Sequence, residues 1–133
     1  MTDKTPAPQV WPTLSARDAR ALINFLNDAF GFTETVVYGD GDVVQHAELA
    51  WPEGGGIMLG SSTGQGRLTP PGSFSAYVVT KDPDALHARA KAAGAEITTE
   101  PYETDYGSRD FAARDIEGNH WYFGTYPGAP LVG

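Results

Sequence analysis

The chain has 133 residues, 41% of them hydrophobic and 20% charged, with a net charge of −8 and no cysteine. That length suits one domain with a core of its own, and the missing cysteine excludes disulfides, thiolate ligands and a cysteine nucleophile. The acidic balance argues against nucleic acid, whose binding depends on neutralising phosphates with Lys and Arg.

Residues 1–9 are polar and lack the apolar stretch of a signal peptide, and no apolar run approaches the roughly 20 residues of a membrane helix. The reading is a cytoplasmic protein with no membrane partner. Val10 to Ser15 is an extended segment. Asp18 stands as a helix cap, followed at helical spacing by Ala21, Leu22, Phe25, Leu26 and Ala29, and Gly31 ends the helix. Thr33 to Tyr38, Val43 to Trp51 and Ile57 to Gly60 read as strands, separated by turns at Gly39-Asp40-Gly41-Asp42 and Pro52-Glu53-Gly54-Gly55-Gly56. Residues 61–72, rich in Gly, Ser, Thr and Pro, read as a linker. The order then repeats. Ser73 to Val79 is a strand, a helix starts at Asp82 or Asp84 and ends at Gly94, and three strands follow at Ala95 to Tyr102, Ser108 to Arg114 and His120 to Gly124. Pro127 to Gly133 is a loose tail.

Sliding the chain onto itself by 64 residues makes this repetition explicit. Asp18 falls on Asp82, Ala21-Leu22 on Ala85-Leu86, Ala29 on Ala93 and Thr35 on Thr99. Tyr38 falls on Tyr102, Glu53-Gly54 on Glu117-Gly118, and Gly60 on Gly124. Two similar β-α-β-β-β units, each too small to bury a core alone, must therefore pack together. The fold class is α+β, with module one at about 10–60 and module two at about 73–126 of a single domain.

The most specific stretch runs Asp105-Tyr106-Gly107-Ser108-Arg109-Asp110, then Asp115-Ile116-Glu117-Gly118-Asn119, then the short aromatic strand His120-Trp121-Tyr122-Phe123. It resembles the Y-G-x-R, D-P-x-G-N and aromatic-strand signature of glyoxalase/bleomycin-resistance-like proteins of the vicinal oxygen chelate superfamily. Ile116 stands where that signature has proline. Ala29-Phe30-Gly31-Phe32 and Ala92-Ala93-Gly94-Ala95 are similar to the helix ends of both modules in that group. The resemblance implies a cupped mixed sheet with helices outside, and commonly a homodimer.

Alternation along the strands then assigns faces. Leu14, Ala47, Leu49, Ile57, Leu59, Val78, Phe111, Ala113, Trp121 and Phe123 should lie against the helices. The opposite set should face the cup: Trp11, Thr13, His46, Glu48, Met58, Ser75, Tyr77, Asp110, Ala112, Arg114, His120 and Tyr122. Metal-dependent members of the superfamily use His or Gln on the first strand of each unit and Glu on the last. Those positions correspond here to Trp11, Ser75, Met58 and Tyr122, none of which is a good ligand. The resemblance therefore implies no metal and no cofactor. His46, Glu48 and His120 would make a different metal site only if they converged, and His46 with Glu48 also suits an ordinary exposed pair.

The leading expectation is a binding protein that sequesters or carries a small aromatic or cationic compound, such as an antibiotic. Its ligand-facing residues are Trp11, Thr13, His46, Glu48, Met58, Tyr77, Asp110, Arg114, His120 and Tyr122. The alternative is a lyase, isomerase or epimerase acting on a small oxygenated substrate, with His46 or Glu48 as general base. Arg109 is expected to brace its turn, and His87 to lie at the surface. The sequence leaves open whether the cup lies within one chain or across a dimer.

Overall fold

The computed structural model describes residues 7–62 and 69–130. Residues 63–68 of the expected linker, and 131–133 of the tail, lie outside the described residues. Module one comprises β1 (Thr13–Ala16), α1 (Ala19–Phe25, extended by a π-helical turn at Leu26–Phe30), β2 (Thr33–Asp40), β3 (Val43–Ala50) and β4 (Gly56–Ser61). Module two comprises β5 (Ser75–Val79), α2 (Pro83–Ala92), β6 (Glu96–Glu103), β7 (Arg109–Arg114) and β8 (His120–Gly124). The expected order and both helix starts hold. The Asp18 carboxylate accepts from the Ala21 N–H and that of Asp82 from the Ala85 N–H, each at 3.1 Å, satisfying donors a first helical turn leaves free. Gly31, at φ 87°, ends the first helix in the left-handed region.

Each module is a four-stranded mixed sheet, ordered β1-β4-β3-β2 and β5-β8-β7-β6. The 64-residue shift survives at the level of register. Thr13 pairs with Met58 as Tyr77 pairs with Tyr122, and Ser15 with Gly60 as Val79 with Gly124. Glu48 likewise lies beside Met58 as Ala112 lies beside Tyr122.

The apolar faces fell as alternation assigned them. Leu14, Ala47, Leu49, Ile57, Leu59, Phe111, Ala113, Trp121 and Phe123 are buried, and Val78 packs against them partly buried. Each helix covers the apolar face of its own sheet, outside the cup, and the helices also meet each other. Phe30, from the π-helical turn, packs on Trp121 and Phe123 of the other module at ring distances of 5.7 and 4.8 Å. Phe32 reaches Trp121 at 5.4 Å, and Trp51 reaches Phe123 at 6.2 Å. Arg89 of α2 donates to the carbonyls of Asp28 and Asn27, both at 2.9 Å. The two apolar faces thus share one helical layer, and the two polar faces are turned away from it. His87 is not a free surface residue: its ring stands edge-on to Phe111 at 5.4 Å.

The signature turns hold the modules together. The buried Asp115 carboxylate accepts from the N–H groups of Glu117 and Asn119, from Asn119 Nδ2 and from Trp121 Nε1, all at 2.8–3.0 Å. Asn119 Oδ1 accepts from the Phe74 N–H. Glu117 reaches across the seam to accept from the backbone N–H groups of Arg17 and Asp18 and from Arg17 Nη1. Its repeat counterpart, Glu53, accepts from the Lys81 N–H at 2.9 Å. Arg109, as expected, braces its surroundings: Nε donates to both oxygens of Asp84 at 3.0 and 2.9 Å.

Candidate functional site

On the polar face of the first sheet, Thr13, Met58 and Glu48 sit side by side across β1, β4 and β3. His46 Nε2 lies 2.8 Å from Glu48 Oε2, and Tyr38 stacks on the His46 ring at 6.3 Å. Trp11 packs over Gly56, where a Cβ would crowd its ring. On the polar face of the second sheet, Ser75, His120 and Arg114 form one row and Tyr77, Tyr122 and Ala112 the next. Arg114 donates through Nε to His120 Nε2 at 3.1 Å and through Nη1 to Glu96 at 3.2 Å. Tyr77, Tyr122 and Val79 are each about 40% exposed, large rings and a branched chain left open to water.

The ten expected ligand residues therefore form two groups. Trp11, Thr13, His46, Glu48 and Met58 belong to the first sheet, and Tyr77, Asp110, Arg114, His120 and Tyr122 to the second. One chain does not bring them together, because the faces that carry them point away from a common helical layer. His46 and Glu48 accordingly do not meet His120, whose Nε2 is engaged by Arg114.

The metal positions sharpen in the same way. The residues directly beside the closing-strand positions Met58 and Tyr122 are Thr13 and Tyr77, whereas Ser75 lies beside His120. Neither choice supplies the imidazoles and carboxylates a divalent ion needs. Among the described residues, no three His, Cys, Asp or Glu side chains lie close enough to hold an ion. The donor set does not fit the superfamily's metal.

Alternation could not find the polar network at the far end of the second sheet. Asp110 crosses over Gly124, where any Cβ would collide with its carboxylate and the Tyr77 hydroxyl. Asp110 Oδ1 accepts from Ser108 Oγ at 2.6 Å and from the Tyr77 hydroxyl at 3.0 Å, and Oδ2 from the Tyr106 hydroxyl at 3.4 Å. The Tyr126 N–H donates to the Tyr77 hydroxyl at 3.2 Å, and Tyr106 meets Tyr126 edge-on at 5.5 Å. Tyr106 and Ser108 lie in the Y-G-x-R stretch, so the signal was present without its geometry.

Burial pushes the Tyr77 phenol above its ordinary value of 10.0, and partial withdrawal from water followed by the Asp110 charge does the same for Tyr106. These phenols hold their protons more tightly folded than unfolded. Their contribution to stability is complete below pH 10 and is lost as the pH rises through the higher folded values. Urea unfolding at a series of alkaline pH values is expected to show that loss, with a shallower decline in Tyr77→Phe. An unchanged decline in the variant would refute it.

A separate cleft of about 570 Å³ lies at the seam, lined by Phe32, Trp51, Pro52, Trp121 and the open edge of β5. Tyr77 alone among the expected ligand residues borders it. Trp51 Nε1 donates to the Val79 carbonyl on that edge at 2.9 Å.

The model of the Glyoxalase/Bleomycin resistance protein/Dioxygenase superfamily matches residues 9–123. No curated protein matches the chain. Among solved structures, TioX from Micromonospora sp. ML1 is similar at 24% identity and TM-score 0.72, covering 87% of this chain and 98% of that one. A glyoxalase/bleomycin resistance protein from Streptomyces sp. CB03234 is similar at 22% identity and TM-score 0.67, covering 85% and 96%. The fosfomycin resistance protein FosX from Listeria monocytogenes, complexed with Mn(II) and sulfate, shares 17% identity at TM-score 0.61, covering 94% and 95%. At these identities the likeness concerns the fold.

Proposed function

The chain belongs to the glyoxalase/bleomycin resistance protein/dioxygenase superfamily, and on that premise we propose that it binds a small aromatic or cationic compound, such as an antibiotic, without a metal. We place the ligand in a cup built by two chains, the polar face of the first sheet of one against that of the second sheet of its partner. The observation that carries this reading is the outward turn of the two polar faces. Among the described residues, each carries half-open groups, His46, Glu48 and Met58 on one side and Tyr77 and Tyr122 on the other. An isologous dimer is the commonest way to cover two such faces at once, and aromatic rings with a few polar groups are what small-molecule sites are made of. The absence of imidazole and carboxylate side chains among Trp11, Ser75, Met58 and Tyr122, and among the strand neighbours Thr13 and Tyr77, supports metal independence.

Sedimentation velocity at micromolar concentration is expected to give a dimer. Fluorescence titration with planar aromatic antibiotics, with and without EDTA, is expected to give affinities that chelation leaves unchanged. A monomer, or binding abolished by the chelator, would overturn the reading.

The His46–Glu48 contact at 2.8 Å favours one alternative, a lyase, isomerase or epimerase in which the carboxylate orients an imidazole base. On that reading His46→Ala and Glu48→Gln would each lose turnover of the substrate while keeping the dimer. Unchanged turnover in both variants would discard it.

A further inference from the structure

Asp110 is 8% exposed, and its partners Ser108, Tyr77 and Tyr106 are all neutral hydroxyls. Among the described residues no Lys, Arg or His pairs with it, and the neighbouring Arg109 guanidinium is turned to Asp84 and Glu103. A buried carboxylate gains stability from hydroxyl donors, but the charge itself stays uncompensated. A carboxylate offers about four acceptor positions. Among the described residues, Oδ1 accepts two, whereas Oδ2 accepts one, the 3.4 Å bond from Tyr106.

The surroundings of this carboxylate are tyrosines. Tyr102 is its cross-strand partner in β6, Tyr122 lies beside Tyr77, and Tyr106 meets Tyr126. These five rings are between 41% and 61% exposed, and the face of an aromatic ring attracts a cation. A buried negative charge among tyrosines that are about half exposed has the ingredients of an organic-cation site. An anion would be repelled there, and the phenolic protons already directed at Asp110 leave no donor set for a metal ion.

We infer that Asp110 and its ring of tyrosines form a subsite for an alkylammonium group, so that the compound held in the cup carries a cation. This rests on the ligand-binding reading above and narrows it.

The test titrates the intact protein at low salt with three probes: choline, its uncharged isostere 3,3-dimethylbutan-1-ol, and neutral 2-naphthol. Choline is expected to bind about tenfold more tightly than the isostere, and Asp110→Asn to remove that preference, as loss of a charge-driven contact requires. Tyr106→Leu, at a position 61% exposed, is expected to weaken choline about threefold and to leave the isostere unchanged. Equal affinity for choline and the isostere, or a preference that survives both substitutions, would overturn the subsite. Binding of 2-naphthol without choline would overturn the subsite and spare the cup, whereas binding of none of the three would count against both.

Discussion

Replacing Asp115 with alanine is expected to lower the unfolding free energy by about 3–5 kcal/mol, a displacement of the melting temperature by more than about 10 °C for a chain of this size. Four donors converge on that carboxylate, and two of them belong to side chains with no exposure at all, Asn119 and Trp121. Each buried donor left without an acceptor costs about 1–3 kcal/mol, reduced where water or a small shift replaces the bond. Asparagine should be nearly as damaging. It keeps one acceptor but turns an NH₂ toward groups that themselves donate. Urea denaturation of both variants checks this, and a loss below about 1 kcal/mol in Asp115→Ala would contradict it. The aspartate of the signature is thus a structural anchor of its turn.

The second large effect is expected at the seam. Glu117→Ala should cost about 2–3 kcal/mol, while Glu53→Ala should cost less than about 1 kcal/mol, although the two residues are equivalent in the repeat. The Glu117 side chain is 5% exposed and takes two backbone donors at the entry to α1, together with the Arg17 guanidinium. Removing it leaves two part-buried backbone donors without their acceptor. Glu53 takes one donor, Lys81, in an exposed turn where water can replace it. Equal losses in the two variants would show that the seam is energetically symmetric and that burial is not what separates them.

These two residues illustrate how much was legible beforehand. Glu53 and Glu117 stood out as a matched pair, and the same contact is made twice, to the N–H groups of Lys81 and Arg17. Their partners were hidden, because Lys81 and Arg17 are reached across the seam and no local pattern encodes that docking. The faces of the strands were legible because side chains alternate with period two, so Trp121 and Phe123 could be placed inside and Tyr122 outside from their order alone. The network around Asp110 was not, since it depends on Gly124 leaving room on one strand for a carboxylate from the next.

The duplicated β-α-β-β-β plan, the capped helices and the inward and outward faces could be read from the order of residues alone. All of these follow from spacing, alternation and residue chemistry, which act over a few neighbours. The tertiary structure alone decided that Phe30, Phe32 and Trp51 join Trp121 and Phe123 in a core shared by both modules. It likewise decided that His46 and Glu48 look away from His120 and Tyr122. The docking of one module on the other is set by the burial of large apolar faces, a non-directional force whose geometry emerges only when both surfaces exist.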